Sequence, residues 1–139
     1  MDGIGVMLKY LGGNEETVNA VTSSLNKVIS DIKVTDKVLS ISFTDGSTLY
    51  INDGGQSCCE HRYMTCDDGL QYYIGGKLLS IELKAANVTN DDDYGGVSEV
   101  QFLDINTDNG TFQIANHNEH NGYYGGFYIQ ASLTGNFDY

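Results

Sequence analysis

The sequence has 139 residues, of which 40% are hydrophobic and 19% are charged, and its formal net charge is −12 at pH 7. This composition is typical of one globular domain, residues 1–139, and not of a disordered chain. The acidity argues against binding a nucleic-acid polymer, which needs a basic surface. No apolar run approaches the roughly 18 residues that cross a bilayer. Residues 1–11 do not resemble a secretion signal, so we expect no membrane association and a cytoplasmic location.

The N-terminal part predicts one helix. Residues 1–13 alternate weakly between apolar and polar side chains and end in two glycines, a pattern that favours a flexible arm or an edge strand. Asn14 is a suitable N-cap, and apolar residues then recur at helical spacing, which predicts a helix over residues 15–26. Residues 27–34 fit either the end of this helix or a strand.

The clearest local pattern is a β-hairpin. Residues 38–44 alternate apolar and polar side chains, Asp45-Gly46 is a favoured hairpin dipeptide, and residues 48–52 continue the alternation. The segment 58–64 that follows is expected to be extended.

The C-terminal half predicts further strands separated by turns. Residues 70–74 are expected to form a short helical turn, and residues 90–96 an acidic loop. A hairpin turn is expected at Asp108-Asn109-Gly110. Strands are predicted at residues 77–84, 98–107, 111–115 and 127–133. The whole pattern is that of an α+β domain with six to eight strands, mostly antiparallel, and one N-terminal helix.

Two stretches concentrate polar and titratable side chains. Residues 116–126 hold two of the three histidines, three asparagines, a carboxylate, two adjacent tyrosines and three glycines. Residues 53–62 hold the third histidine, two of the three cysteines and the only arginine. A hydrophobic core does not require such a concentration, so we expect the two stretches to meet and form a polar binding site. Residues 116–126 are predicted to be an irregular loop held between two strands.

A metal site is one interpretation of these residues. Zinc prefers histidine and cysteine ligands, which are present here as His61, His117, His120 and Cys58. The paired CxxC and HExxH spacings are absent, however. A catalytic pair of one of the adjacent cysteines with a histidine is another interpretation, but no known local signature surrounds those cysteines. We therefore expect no resident metal, no cofactor and no catalytic residue.

Ligand binding without chemistry is the interpretation that we favour. Tyrosine rings stack on flat rings, asparagine amides offer donors and acceptors to base edges or ribose hydroxyls, and an arginine can hold a phosphate with two hydrogen bonds. The glycines allow a close approach of backbone to ligand. The candidate ligand-binding residues are Glu60, Arg62, His117, Asn118, Asn121, Tyr123 and Tyr124.

Five short motifs carry a resemblance to a known group of proteins. They are Phe-Thr-Asp-Gly-Ser at 43–47, Gly-Gln-Ser-Cys-Cys-Glu at 55–60, Tyr-Ile-Gly-Gly-Lys-Leu-Leu at 73–79, Val-Gln-Phe at 100–102 and Asn-Gly-Tyr-Tyr at 121–124. In this order, over roughly residues 27–133, the chain resembles a group of small, largely uncharacterised phage and prophage domains. The Cys-Cys-Glu and Asn-Gly-Tyr-Tyr motifs are fairly specific to that group. In size, element order and site composition the chain is also similar, more loosely, to the phage-encoded Thoeris anti-defence sponges.

The second resemblance implies a function. Such sponges are small α+β oligomers that sequester cyclic ADP-ribose-type signals, and some also bind cyclic oligonucleotides. On that basis we expect a non-enzymatic phage protein in the host cytoplasm, with a small nucleotide-like ligand and further copies of itself as partners. Two alternatives from other classes stay open. One is a metal-dependent enzyme that uses the histidines with a cysteine or Glu119, and the other is an acidic protein-interaction module.

Overall fold

Strands dominate the architecture, and one helix precedes them. The computed structural model describes residues 15–53, 61–84, 87–91, 96–120 and 129–134. Within these residues, helix α1 covers Glu15–Ser24, and a short 3-10 helix covers Leu70–Tyr73. The nine strands of the described residues are β1 (Ile29–Val34), β2 (Leu39–Phe43), β3 (Thr48–Asp53), β4 (His61–Thr65), β5 (Leu78–Leu83), β6 (Asn87–Asp91), β7 (Gly96–Thr107), β8 (Gly110–His120) and β9 (Ile129–Thr134). The arm or edge strand expected at residues 1–13 lies outside the described residues.

The helix ends two residues earlier than predicted, and the chain then turns into a strand. Asn26 has a left-handed φ of 70°, a conformation common just after a helix. Its backbone N–H donates to the Leu78 carbonyl over 2.6 Å, and the Leu78 N–H donates to the Lys27 carbonyl over 3.0 Å. These bonds tie the end of α1 to the start of β5. Of the two interpretations of residues 27–34, the strand is therefore confirmed for Ile29–Val34.

The first sheet has the order β1-β2-β3-β9, with every pair antiparallel. The predicted hairpin at its centre is confirmed, with Gly46 at φ 94° in the turn. The turn is fastened by Lys27, whose Nζ lies 2.7 Å from Asp45 Oδ2 and donates to Ser47 Oγ over 2.9 Å. Helix α1 packs against β9 and β3.

The second sheet has the order β4-β8-β7-β5, and β6 also pairs with β7. Strand β7 thus offers one edge to β8 along its length and divides its other edge between β6 and β5. The prediction of an acidic loop over residues 90–96 is wrong at both ends, because Asn90 and Asp91 belong to β6 and Gly96 begins β7. Ladder hydrogen bonds to the edge of β7 outweigh the low strand propensity of asparagine and aspartate.

The two sheets share one hydrophobic core. Along β7 and β8 burial alternates, so that Leu103, Ile105, Phe112 and Ile114 point inward and are fully buried. They join apolar side chains of the first sheet and of α1 in a single cluster. The α+β class and the antiparallel pairing are therefore confirmed. The described strands outnumber the predicted six to eight because β6 was not foreseen.

In the part of the chain that the structure describes, no helix combines the length and apolar character required to cross a bilayer.

Candidate functional site on strands β4 and β8

Strand β8 runs further than the sequence predicts. It extends to His120, so residues 116–120, expected to begin an irregular loop, are regular β-strand. The polar sequence is held there by neighbours on both sides, because Asn116–Glu119 pair with β4 and also with β7. Pairing on two edges satisfies the backbone donors and acceptors, whatever the propensity of the side chains.

The pairing of β4 with β8 brings the described parts of the two polar stretches together. His61 lies opposite Glu119, Arg62 opposite Asn118, and Tyr63 opposite His117. Each stretch therefore contributes to the same edge of the second sheet, as expected from the sequence.

Three aromatic side chains form a cluster on the outer face of this edge, which we call the ring column (His61, Tyr63 and His117). The Tyr63 and His117 rings are stacked, with centroids 4.5 Å apart and planes 6° from parallel. The His61 ring lies 4.8 Å from that of Tyr63 at a tilt of 34°. The cross-strand pair of Tyr63 and His117 stabilises the sheet edge, and aromatic rings also present flat surfaces to a ligand.

Glu119 and Thr65 fix the polar ends of the ring column. The Tyr63 hydroxyl donates to Glu119 Oε2 over 2.6 Å, and this hydrogen bond raises the pKa of Tyr63. The other carboxylate oxygen of Glu119 lies 4.0 Å from His61 Nδ1. Thr65 Oγ1 and His117 Nε2 share a hydrogen bond of 2.9 Å. The Tyr63 and His117 rings are thus each oriented by a specific hydrogen bond.

The charge of His117 is set by its surroundings. Burial lowers the pKa of His117, and the nearby Glu119 carboxylate offsets part of that effect. Because the pKa lies below the ordinary 6.5, the imidazole is predominantly neutral at neutral pH. A neutral imidazole is both a hydrogen-bonding group and a flat stacking surface.

The inner face of the same strands carries a second group of polar side chains, which we call the amide row (Gln101, Asn116 and Asn118). All three are buried, on strands whose next inward residues, Leu103 and Ile114, belong to the apolar core. The change from apolar to polar occurs at one register, since Gln101 pairs with Asn116 and Leu103 with Ile114.

Among the described residues, only some of the donors and acceptors of the amide row have a hydrogen-bond partner. Asn116 Nδ2 donates to the Gln101 carbonyl over 3.2 Å, and Gln101 Nε2 donates to the Lys84 carbonyl. The Oδ1 atom of Asn116, whose residue is 1% exposed, has no partner among the described residues. A buried acceptor in that condition is a place for a donor such as ordered water or a ligand N–H.

The predicted ligand-binding residues divide between these two faces. His117 lies in the ring column and is half-buried, whereas Asn118, the next residue, is fully buried on the inner face. Arg62 belongs to β4 and pairs with Asn118. The remaining predicted residues, Glu60, Asn121, Tyr123 and Tyr124, lie outside the described part of the chain.

The alternative metal site draws on the same edge. His61 and His117 both contact the Tyr63 ring, and His120 is the last residue of β8, whereas Cys58 lies outside the described residues. Among the described residues, no group of three or more histidine, cysteine, aspartate and glutamate side chains could hold a metal ion. His117 Nε2 is bonded to Thr65. The one described cysteine, Cys66, is a free thiol whose pKa is raised by burial, which makes it a poor nucleophile at neutral pH.

The sequence did not point to Tyr63, Thr65 or Gln101 as site residues. The signal for the first two was the period of two in an extended segment, which places residues 61, 63 and 65 on one face of β4. Gln101 gave no comparable signal, because its burial depends on pairing with Asn116, which is 15 residues away in the chain.

The architecture and site together define a mostly antiparallel α+β domain with a polar, ring-bearing sheet edge. The chain belongs to the family described as Domain of unknown function (DUF7448), whose model matches residues 22–129. No curated protein and no solved structure matches the chain.

Proposed function

We propose that this protein binds a small nucleotide-derived signal and withholds it without chemical turnover. Its biological role would be that of a phage protein that blocks a host anti-phage defence by capturing a cyclic ADP-ribose-type molecule or a cyclic oligonucleotide. The resemblance of its motifs to phage and prophage domains, and of its size and element order to anti-defence sponges, supports this role.

The observation that carries the proposal is the meeting of the two polar stretches at the β4–β8 pairing. There the chain places flat rings, a carboxylate and buried amides within two neighbouring strands. Rings suit a nucleobase, because base–aromatic stacking contributes about 1–3 kcal/mol per base. Amides suit base edges and ribose hydroxyls, because each offers both a donor and an acceptor.

Binding without turnover is favoured by how the polar groups at this edge are engaged. The Tyr63 hydroxyl is held by Glu119 and His117 Nε2 is held by Thr65, so these two proton-transfer groups already have partners. Cys66 is half-buried with a raised pKa. Such groups orient a bound molecule better than they attack it.

Calorimetry against cyclic ADP-ribose isomers and cyclic oligonucleotides tests the proposal. We expect stoichiometric binding of at least one of them at micromolar concentration or below, with the ligand recovered chemically unchanged after incubation. Mass spectrometry of the intact complex should show copies of the chain associated with the ligand. Absence of binding at high micromolar concentrations of every ligand, with the protein shown to be folded by circular dichroism, would remove the proposal. Steady conversion of a ligand would replace it with an enzymatic function.

A further inference from the structure

The ring column has an electrostatic character that restricts which ligand it suits. An aromatic ring carries negative charge on its face, and the neutral imidazole of His117 adds no positive charge to the stack. Glu119 brings a carboxylate to 2.6 Å from the Tyr63 hydroxyl and to 4.0 Å from His61 Nδ1. The entire chain has a net charge of −12. The ring column is therefore an electron-rich surface with an anion at its rim.

Such a surface distinguishes ligands by charge as well as by shape. A planar cation on an aromatic face gains about 0.5–1 kcal/mol at exposed sites, and about 2 kcal/mol or more when water is excluded. A neutral ring of the same shape gains only dispersion and stacking. An anionic group is repelled by Glu119 and by the acidity of the whole chain.

Resting on the function proposed above, we infer that the ring column selects nucleotide-derived ligands whose base is a positively charged planar ring, such as a pyridinium or an N-alkylated purine, and places that ring beside Glu119.

The geometry leaves room for such a ring. The side chain of His61, at one end of the column, is 70% exposed and contacts Tyr63 on one side, so most of its surface is open to a ligand. The Glu119 side chain is 48% exposed. A carboxylate has about four acceptor positions, and the Tyr63 hydroxyl occupies one of them. Glu119 can thus hold the Tyr63 ring in place and still face a cationic ligand.

A positive ring also answers an electrostatic difficulty of the proposed function. Nucleotide phosphates are anionic, and the chain is strongly acidic. A cationic base offsets one phosphate charge and pairs with Glu119, so a ligand with a positive base approaches this protein at lower electrostatic cost than one with a neutral base.

The test uses pairs of ligands that differ in the charge of the ring. The first pair is 1-methylnicotinamide, a pyridinium, and nicotinamide, its neutral counterpart. The second is oxidised and reduced nicotinamide mononucleotide, which carry a pyridinium and a neutral dihydropyridine on the same phosphoribosyl group. Binding is measured by calorimetry and by NMR shifts of the histidine ring protons. We expect the cation of each pair to bind at least tenfold more tightly than its neutral partner.

Substitutions in the ring column test which residues produce the preference for a cationic ring. Glu119→Gln should remove most of the difference in affinity between the charged and the neutral ligand of each pair. The affinity for the neutral ligand should be retained. Tyr63→Leu should weaken binding of both ligands of a pair. Tyr63→Phe should weaken their binding less, because it keeps the ring and loses only the hydrogen bond to Glu119. Tyr72→Leu is the matched control, since Tyr72 is an exposed tyrosine on the 3-10 helix and lies outside the ring column. Circular dichroism of each variant establishes that the fold is intact.

The outcomes separate this inference from the proposed function. Equal affinity for charged and neutral rings, with a cyclic nucleotide still bound, would overturn the inference and leave the function standing. A cation preference that Glu119→Gln abolishes, without binding of any cyclic nucleotide, would support the inference and remove the proposed ligand class. Competition by methylguanidinium as effective as that by 1-methylnicotinamide would overturn the requirement for a ring. Absence of binding by every ligand would remove both.

Discussion

The Lys27–Asp45 ion pair provides a quantitative test of how the first sheet is held together. Asp45 lies in the β2–β3 turn, and its Oδ2 accepts a hydrogen bond from Lys27 Nζ, 2.7 Å away. Its Oδ1 accepts hydrogen bonds from the backbone N–H and the hydroxyl of Ser47. Lys27 precedes β1, the neighbour of β2 in the sheet, so the pair fastens the turn to the start of that neighbouring strand. We expect Asp45→Asn to destabilise the protein, because the amide keeps an acceptor for Ser47 but loses the charge that attracts Lys27.

The magnitude follows from the pKa of Asp45, which is lowered from 3.8 to about 2, chiefly by the hydrogen bond from Lys27 and then by those from Ser47. At about 1.4 kcal/mol per pKa unit, that lowering corresponds to roughly 2.5 kcal/mol. The Asp45 side chain is 39% exposed, so solvent screening reduces the contribution to about 1 kcal/mol. Because the folded-state pKa is depressed, this stability is complete above pH 3.8 and is lost as the pH falls towards 2.

Urea unfolding followed by circular dichroism at pH 7 and at pH 2.5 measures the effect. The free energy of unfolding of Asp45→Asn should be lower than that of the wild type by about 1 kcal/mol at pH 7, and the difference should shrink at pH 2.5. Asp36→Asn, in the β1–β2 turn, controls for the same change of net charge. A difference that is equal at both pH values, or a control that matches Asp45→Asn, would refute the reasoning.

Three further predictions concern single positions. Gly46→Ala should lower the unfolding free energy by about 1 kcal/mol, because its φ of 94° disfavours a side chain although nothing lies within 4 Å, whereas Gly69→Ala, in open space without a positive φ, should change it little. Phe112→Ala should cost about 3–5 kcal/mol in thermal or urea unfolding, since its ring is fully buried, and Tyr72→Ala, at 71% exposure, should cost far less. Asn116→Asp places a carboxyl group in a fully buried position; the variant should lose roughly 2 kcal/mol or more at pH 7 and recover part of it at pH 4, where the neutral acid is favoured.

The parts of the fold that the sequence predicted are those decided by local pattern. The β2–β3 hairpin follows from alternation around Asp45-Gly46, and the β7–β8 hairpin follows from the turn at Asp108-Asn109. The 3-10 helix was anticipated as a short helical turn. In each case neighbours in sequence are also partners in space, so the signal lies within a short window.

The parts that escaped prediction depend on distant partners. Strand β6 contains asparagine and aspartate, which rarely favour strands, and exists because β7 offers it an edge. The polar end of β8 is a strand for the same reason, with β4 on one side and β7 on the other. The same holds for the candidate site. The sequence composition predicted that the two polar stretches meet. That His117 and Asn118 lie on opposite faces could be known only once both were placed in a strand.

The alternation along β8 has a practical consequence for anyone who engineers this protein. Asn116 and Asn118 face the interior, and His117 and Glu119 lie on the outer surface, so each step of one residue changes which side of the sheet is altered. A mutagenesis library meant to retune recognition should therefore randomise alternate positions only. Deleting a single residue of β8 before Asn116 would exchange the two sets of side chains at once. The buried amides would then face the solvent, and the imidazole and the carboxylate would face the interior.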